Sequence, residues 1–110
     1  MTPTEKLKEK KDKVLEIVNK YEQFGFTDLK IHGSVARGED TENSDLDLVY
    51  TFKPIKEFKY TYFSQFNDDL EDLLGIKIDL SMDKELKPLI ANHILSYAVP
   101  FKFFLGNLNG

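Results

Sequence analysis

The residues of this 110-residue chain best suited to chemistry lie in one stretch, IHGSVARGEDTENSDLDLVY, residues 31–50. An apolar segment runs into Gly33 and Ser34, crosses a polar stretch, and re-enters apolar sequence carrying Asp45 and Asp47. Carboxylates are depleted in strands, yet these two alternate with leucines. Alternate residues of a strand share a face, so the two acids project the same way, roughly 7 Å apart along the backbone. Leu46, Leu48 and Tyr50 then face the other way, toward a core. Two neighbouring carboxylates repel unless a cation neutralises them. Mg2+ suits the task, because it takes one or two carboxylates plus substrate phosphates. Two such ions, about 3.5–4 Å apart, can clamp the attacking and leaving oxygens of an in-line displacement. Asp79, in KIDLSM, is the other acid embedded in a predicted strand and completes the set.

Gly33 and Ser34 fit the same chemistry. A glycine at a strand end lets the backbone approach a phosphate, and successive N–H groups in a turn or helix start form an anion nest. Ser34 adds a hydroxyl donor, and Arg37 a guanidinium fork near the phosphates. Gly38 supplies a turn. The stretch is not a Walker A loop, since G-x-x-x-x-G-K-[ST] is absent, and the later Gly and Glu of an EF-hand are missing. A lone Gly-Ser is ordinarily a turn and a lone Asp-x-Asp a solvated pair. The combination of strand, Gly-Ser, strand-borne Asp-x-Asp and a further strand-borne Asp is what carries the functional reading. His32 is expected to be a packed or hydrogen-bonded residue, and His93 a core or interface residue. Asp68, Asp69, Glu71 and Asp72 are expected on a solvated helix face, and Glu39, Asp40 and Glu42 as loop surface charge.

Composition bounds the rest. The chain has 41% hydrophobic and 31% charged residues, as expected for one domain of about usual size, spanning 1–110. A formal charge of −4 argues against a general nucleic-acid coat, so no direct nucleic-acid binding is expected. The absence of cysteine excludes thiolate catalysis and Cys-based zinc sites. The opening MTPTEKLKEKKDK lacks the apolar core of a signal peptide, and no apolar run approaches membrane-spanning length, so a cytoplasmic protein is the default.

The elements that must position these residues follow from periodicity. Thr2, Pro3 and Glu5 form a helix start with a capping box, and Leu7, Val14, Val18 and Tyr21 continue one helix as far as Gly25. The lysines from Lys6 to Lys13 are its solvated face. Asp28 to His32 is a short strand, residues 34–44 a loop with a helical turn near Val35 and Ala36, and Asp45 to Phe52 a second strand. Phe58, Tyr62, Phe66, Leu70 and Leu73 form an amphipathic helix ending at Gly75, and Ile76 to Met82 a third strand. Asp83 caps a last helix with Leu86, Leu89, Ile90, His93, Ile94 and Tyr97 as its apolar face; Pro88 disturbs its first turn and Pro100 ends it. FKFFLGNLNG is an apolar tail with a frayed end, free to pack on the core or form an interface. The order predicts an α/β domain, a small sheet with helices packed on it.

GSVARGEDTENSDLDLVY resembles the signature of the minimal nucleotidyltransferases, small relatives of the DNA polymerase beta superfamily, and LEDLLGIKIDLSMDKELKPLIANHILSYAVPF resembles that family's second half. The likeness runs from about residue 27 to 103 and departs at His32, where the family usually has an aromatic or aliphatic residue. The resemblance implies a mixed nucleotidyltransferase-type sheet flanked by helices. It implies Asp45, Asp47 and Asp79 as catalytic, metal-holding carboxylates, Gly33 and Ser34 as triphosphate contacts, and Arg37 as part of the G-S-x-A-R-G run. It further implies ATP or another nucleoside triphosphate as substrate, two Mg2+ ions, and transfer of AMP to a hydroxyl. The acceptor would be brought by another protein or a second subunit, often a HEPN ribonuclease toxin for which the chain is the antitoxin; a homo- or hetero-oligomer is left open. The competing expectation is a non-catalytic antitoxin that neutralises its partner by binding.

Overall fold

Thr2 and Glu5 close the predicted capping box. The Glu5 N–H donates to the Thr2 hydroxyl at 3.2 Å, and the Thr2 N–H donates to the Glu5 carboxylate at 2.9 Å. That backbone hydrogen bond from Thr2 holds the Glu5 carboxyl below its ordinary range. In the computed structural model, which describes residues 1–108, the predicted single helix is two: α1 (Pro3–Glu9) and α2 (Lys11–Gln23). The break falls at Lys10, whose φ of −106° and ψ of 16° leave the helical region. Its cause is legible afterwards. No apolar residue lies between Leu7 and Val14, so nothing holds a continuous stripe across Lys10, and the bend lets both ends reach the core. The lysines around the break sit on the solvent side, as expected.

β1 (Phe26–His32) starts two residues before the predicted strand. Asp28 adopts a φ of +52°, and the pairing register shifts between Thr27 and Lys30, which marks a bulge. β2 (Leu46–Phe52) pairs antiparallel with β1, and β3 (Ile78–Met82) pairs parallel with β2. Parallel neighbours need a crossover, and α4 (Thr61–Leu74) provides it. Gly75 ends that helix in the left-handed conformation, at φ +66°. With β4 (Val99–Pro100) beside β1, the sheet order is β3-β2-β1-β4, a mixed four-stranded sheet flanked by helices as predicted.

The core is aromatic. Tyr21 of α2 stacks on Phe66 of α4 at 4.5 Å between ring centroids, and Phe26 meets both edge-on. The Tyr21 hydroxyl donates to Asp69 at 2.6 Å, so Asp69 is not merely solvated. Burial pushes the Tyr21 hydroxyl well above its ordinary pKa. Asp40 also does more than cover the surface: it accepts from the N–H and the hydroxyl of Thr4, pinning the loop to α1.

The C-terminal region departs most from expectation. Asp83–Glu85 is a separate 3-10 turn, and α5 (Pro88–Tyr97) begins with Pro88 at its first position, where the missing N–H costs nothing. Its apolar stripe is not buried: no α5 residue is, and Leu89 is 85% exposed. The space is taken instead by the tail. Val99–Pro100 forms β4 beside β1, and α6 (Phe101–Gly106) buries Phe101 and Leu105 completely. Of the face that periodicity predicted, Leu89, Ile90, His93 and Tyr97 lie in solvent and only Ile94 of the helix is partly covered, beside Ala91, while another segment fills the core. The apolar tail therefore packs on its own domain; its predicted frayed end, Asn109 and Gly110, lies outside the described residues. Phe101→Ala should destabilise by about 3–5 kcal/mol, read as a lowered urea midpoint at unchanged slope. A cost below about 1 kcal/mol would show that α6 is not part of the core. Among the described residues no helix is long and apolar enough to cross a membrane.

Candidate functional site

Strand register assembles the site. On β1 and β2, His32 lies opposite Asp47; on β2 and β3, Asp47 lies beside Asp79. His32, Asp47 and Asp79 therefore form one row across three strands. Asp45 stands one residue before β2 rather than within it, with the Lys77 Nζ 3.9 Å from its carboxylate. Asp79 is exposed and accepts from the Ser81 hydroxyl at 3.2 Å.

The electrostatics of the row are those of crowded acids. Burial pushes the Asp47 carboxyl above its ordinary range; His32 pulls it down, Asp79 and Asp45 push it up further, and Arg37 pulls it down. Burial holds the His32 imidazole below its ordinary range, against the attraction of Asp47 and Asp79 for its charged form. His32 makes no side-chain hydrogen bond among the described residues; it is half-buried, in keeping with the packed reading, and also lines the neighbouring cleft. The donor set is all hard oxygen and mutually repulsive, the environment a Mg2+ ion relieves. Among the described residues no three acidic or imidazole groups close into a finished cage, so the carboxylates are neighbours by register rather than a preformed shell.

Gly33 joins the row to the helical turn that follows β1. Its φ is +75°, and a Cβ placed on it would fall into the Asp47 carboxylate. Only glycine allows the turn to come this close to the acid. α3 (Gly33–Ala36) is a single helical turn, anchored by the buried Val35 and closed by the Arg37 N–H donating to the Gly33 carbonyl at 3.2 Å. The helical turn predicted at Val35 and Ala36 is present and starts at Gly33. Its first N–H groups have no acceptor within the turn, which leaves them available to an anion. Arg37 is exposed, its Nε donating to Glu39 at 3.1 Å.

A cleft of about 270 Å³ adjoins this turn, lined by His32, Gly33, Arg37, His93, Ile94 and Tyr97. The three aspartates are not in its wall; Gly33, which abuts Asp47, is the link. His93 is exposed on the cleft rim rather than in the core, with its ring 5.2 Å from that of Tyr97. The sequence signal for this pair was weak, two rings four residues apart on an uncharged helix.

A match to the nucleotidyltransferase domain family covers residues 11–100, a span that includes Gly33, Ser34, Arg37, Asp45, Asp47 and Asp79. The chain is 37% identical over 78 residues to the protein adenylyltransferase MntA of Thermococcus cleftensis, covering 71% of this chain and 77% of that protein. A solved minimal nucleotidyltransferase superposes with a TM-score of 0.71 at 29% identity, over 86% of this chain and 94% of that one. A chain of a toxin–antitoxin complex solved with AMP-PNP shares the fold, with a TM-score of 0.59 at 14% identity over 76% of this chain and 68% of that chain. The order of the sheet, the row of acids it aligns and these likenesses agree: the chain belongs to the nucleotidyltransferase domain family, in its minimal, MntA-like group.

Proposed function

We propose that this chain transfers AMP from ATP to a hydroxyl of a partner protein, a HEPN-type toxin that it silences as antitoxin. The observation that carries the proposal is the alignment of Asp47 with Asp79 across β2 and β3, directly beside the Gly33 turn. Asp45, Asp47 and Asp79 would hold Mg2+, in one or two ions. When bound, Mg2+ supplies charge neutralisation and polarisation of the phosphoryl oxygens. The turn's N–H groups and the Ser34 hydroxyl bind the triphosphate oxygens, and Arg37 adds a positive charge. Asp79 takes or steers the proton of the acceptor hydroxyl. That oxygen forms an ester bond to the α-phosphorus while the α–β bridging bond breaks, and pyrophosphate leaves. A protein acceptor suits the apolar surface that α5 leaves in solvent at Leu89, Ile90 and Leu95.

The test is incubation of the chain with its HEPN-type partner and ATP labelled on the α- or the γ-phosphate. Transfer of α-label to the partner is the expected result. Transfer of γ-label would mean a kinase and would overturn the mechanism. Silencing by stoichiometric complex formation with no label moved would make the chain a binding antitoxin.

A further inference from the structure

We infer that the cleft between α3 and α5 is the nucleobase subsite, in which Tyr97 and His93 stack the base of the bound nucleoside triphosphate; this rests on the triphosphate reading of the Gly33 turn. Position is the first argument. Gly33 both abuts Asp47 and lines the cleft. A phosphorus held beside Asp47 therefore places its sugar and base next to the residue that links Asp47 to the cleft.

Size is the second. Pockets for whole drug-sized ligands run to about 300–1,000 Å³. At about 270 Å³ this cleft takes one ring system rather than an entire nucleotide. Lining is the third. Tyr97 and His93 are four residues apart on α5 and so share a face, with Ile94 between them. Tyr97 is 68% exposed and meets His93 edge-on at 63° between ring planes, so a broad ring face remains available. Between Lys87 and Lys102 the chain carries no Asp, Glu, Lys or Arg, so no carboxylate or ammonium competes with stacking. An acceptor side chain is the less suitable occupant, because its hydroxyl has to reach Asp79 and no aspartate lines the cleft.

Stacking of a base on an aromatic residue is sequence-tolerant and separable from phosphate binding. The experiment is equilibrium titration of the folded chain, with Mg2+ present, using ATP and inorganic tripolyphosphate as separate probes. Tyr97→Ala and His93→Ala should each weaken ATP by roughly tenfold, leave tripolyphosphate unchanged, and do so without lowering the melting temperature, since both residues are exposed. Tyr97→Phe, which keeps the ring, should retain parental affinity for ATP. Unchanged ATP affinity in both alanine variants, or parallel weakening of both probes, would overturn the assignment. A parent that binds tripolyphosphate as tightly as ATP would also overturn it while sparing the phosphate turn. A parent that binds neither would remove the triphosphate reading itself, and the base subsite with it.

Discussion

Asp47→Asn should lower transfer of α-label by at least about a hundredfold, since changes one shell further out already cost metal sites roughly 10–100-fold, and yet melt at a higher temperature than the parent at pH 7. Both effects come from the same environment. Burial disfavours the ionised Asp47, and Asp79 and Asp45 add like charge, outweighing the help of His32 and Arg37. Its folded pKa is raised, so the native state holds a proton more readily than the unfolded chain does. Stability therefore falls as pH rises from the ordinary carboxylate range through the raised value, and the loss is complete above it. Asparagine removes that loss while keeping the size of the side chain. The melting temperatures of parent and variant should converge as pH is lowered below the ordinary aspartate value of about 3.9, where Asp47 becomes protonated in both states. Mg2+ should raise the parent's melting temperature by binding the native state and have much less effect on the variant. Thermal melts across pH with and without Mg2+ check all of this. A variant that melts lower than the parent at pH 7, or that gains equally from Mg2+, would mean that Asp47 is an ordinary structural residue.

What periodicity and turn chemistry encode was legible in the chain, and what packing decides was not. Alternation across Asp45–Tyr50 placed Asp47 on the face opposite Leu46 and Leu48, and the isolated acid in KIDLSM picked out Asp79. That the two are cross-strand partners depends on the register of β2 and β3, which the crossover through α4 sets and no local signal states. Gly33 was legible as a close-approach glycine, though toward a phosphate; that it also makes room for Asp47 is a tertiary fact. The largest misreading, the buried face of α5, shows the limit of a hydrophobic stripe. It groups the apolar residues of a helix but shows neither whether that side turns inward nor which other segment, here α6, fills the core. His93, expected in a core or an interface, and Tyr97, expected on a buried face, both lie exposed on the cleft rim for the same reason.

Gly33→Ala should abolish transfer and destabilise the fold, and Gly38→Ala provides the control built into the same turn. The two glycines have nearly the same backbone conformation, φ +75° at Gly33 and φ +72° at Gly38. An alanine forced into that region costs roughly 1–2 kcal/mol at either position. Their surroundings differ completely. A Cβ at Gly38 meets nothing within 4 Å, whereas one at Gly33 lands on the Asp47 carboxylate. The clash can be relieved only by turning Asp47 out of the row with Asp79 or by moving the turn away from it, and either breaks the site. Gly38→Ala should therefore lose about 1–2 kcal/mol and keep transfer, while Gly33→Ala loses more stability and all measurable transfer. The excess should be coupled to Asp47. In an Asp47→Ala background, the stability cost of Gly33→Ala should shrink to the backbone strain seen at Gly38, a non-additivity that urea denaturation of the four variants would measure. Equal costs in both backgrounds, with transfer retained by Gly33→Ala, would show that the turn and the acid are independent, and that the close approach at Gly33 has no part in the chemistry.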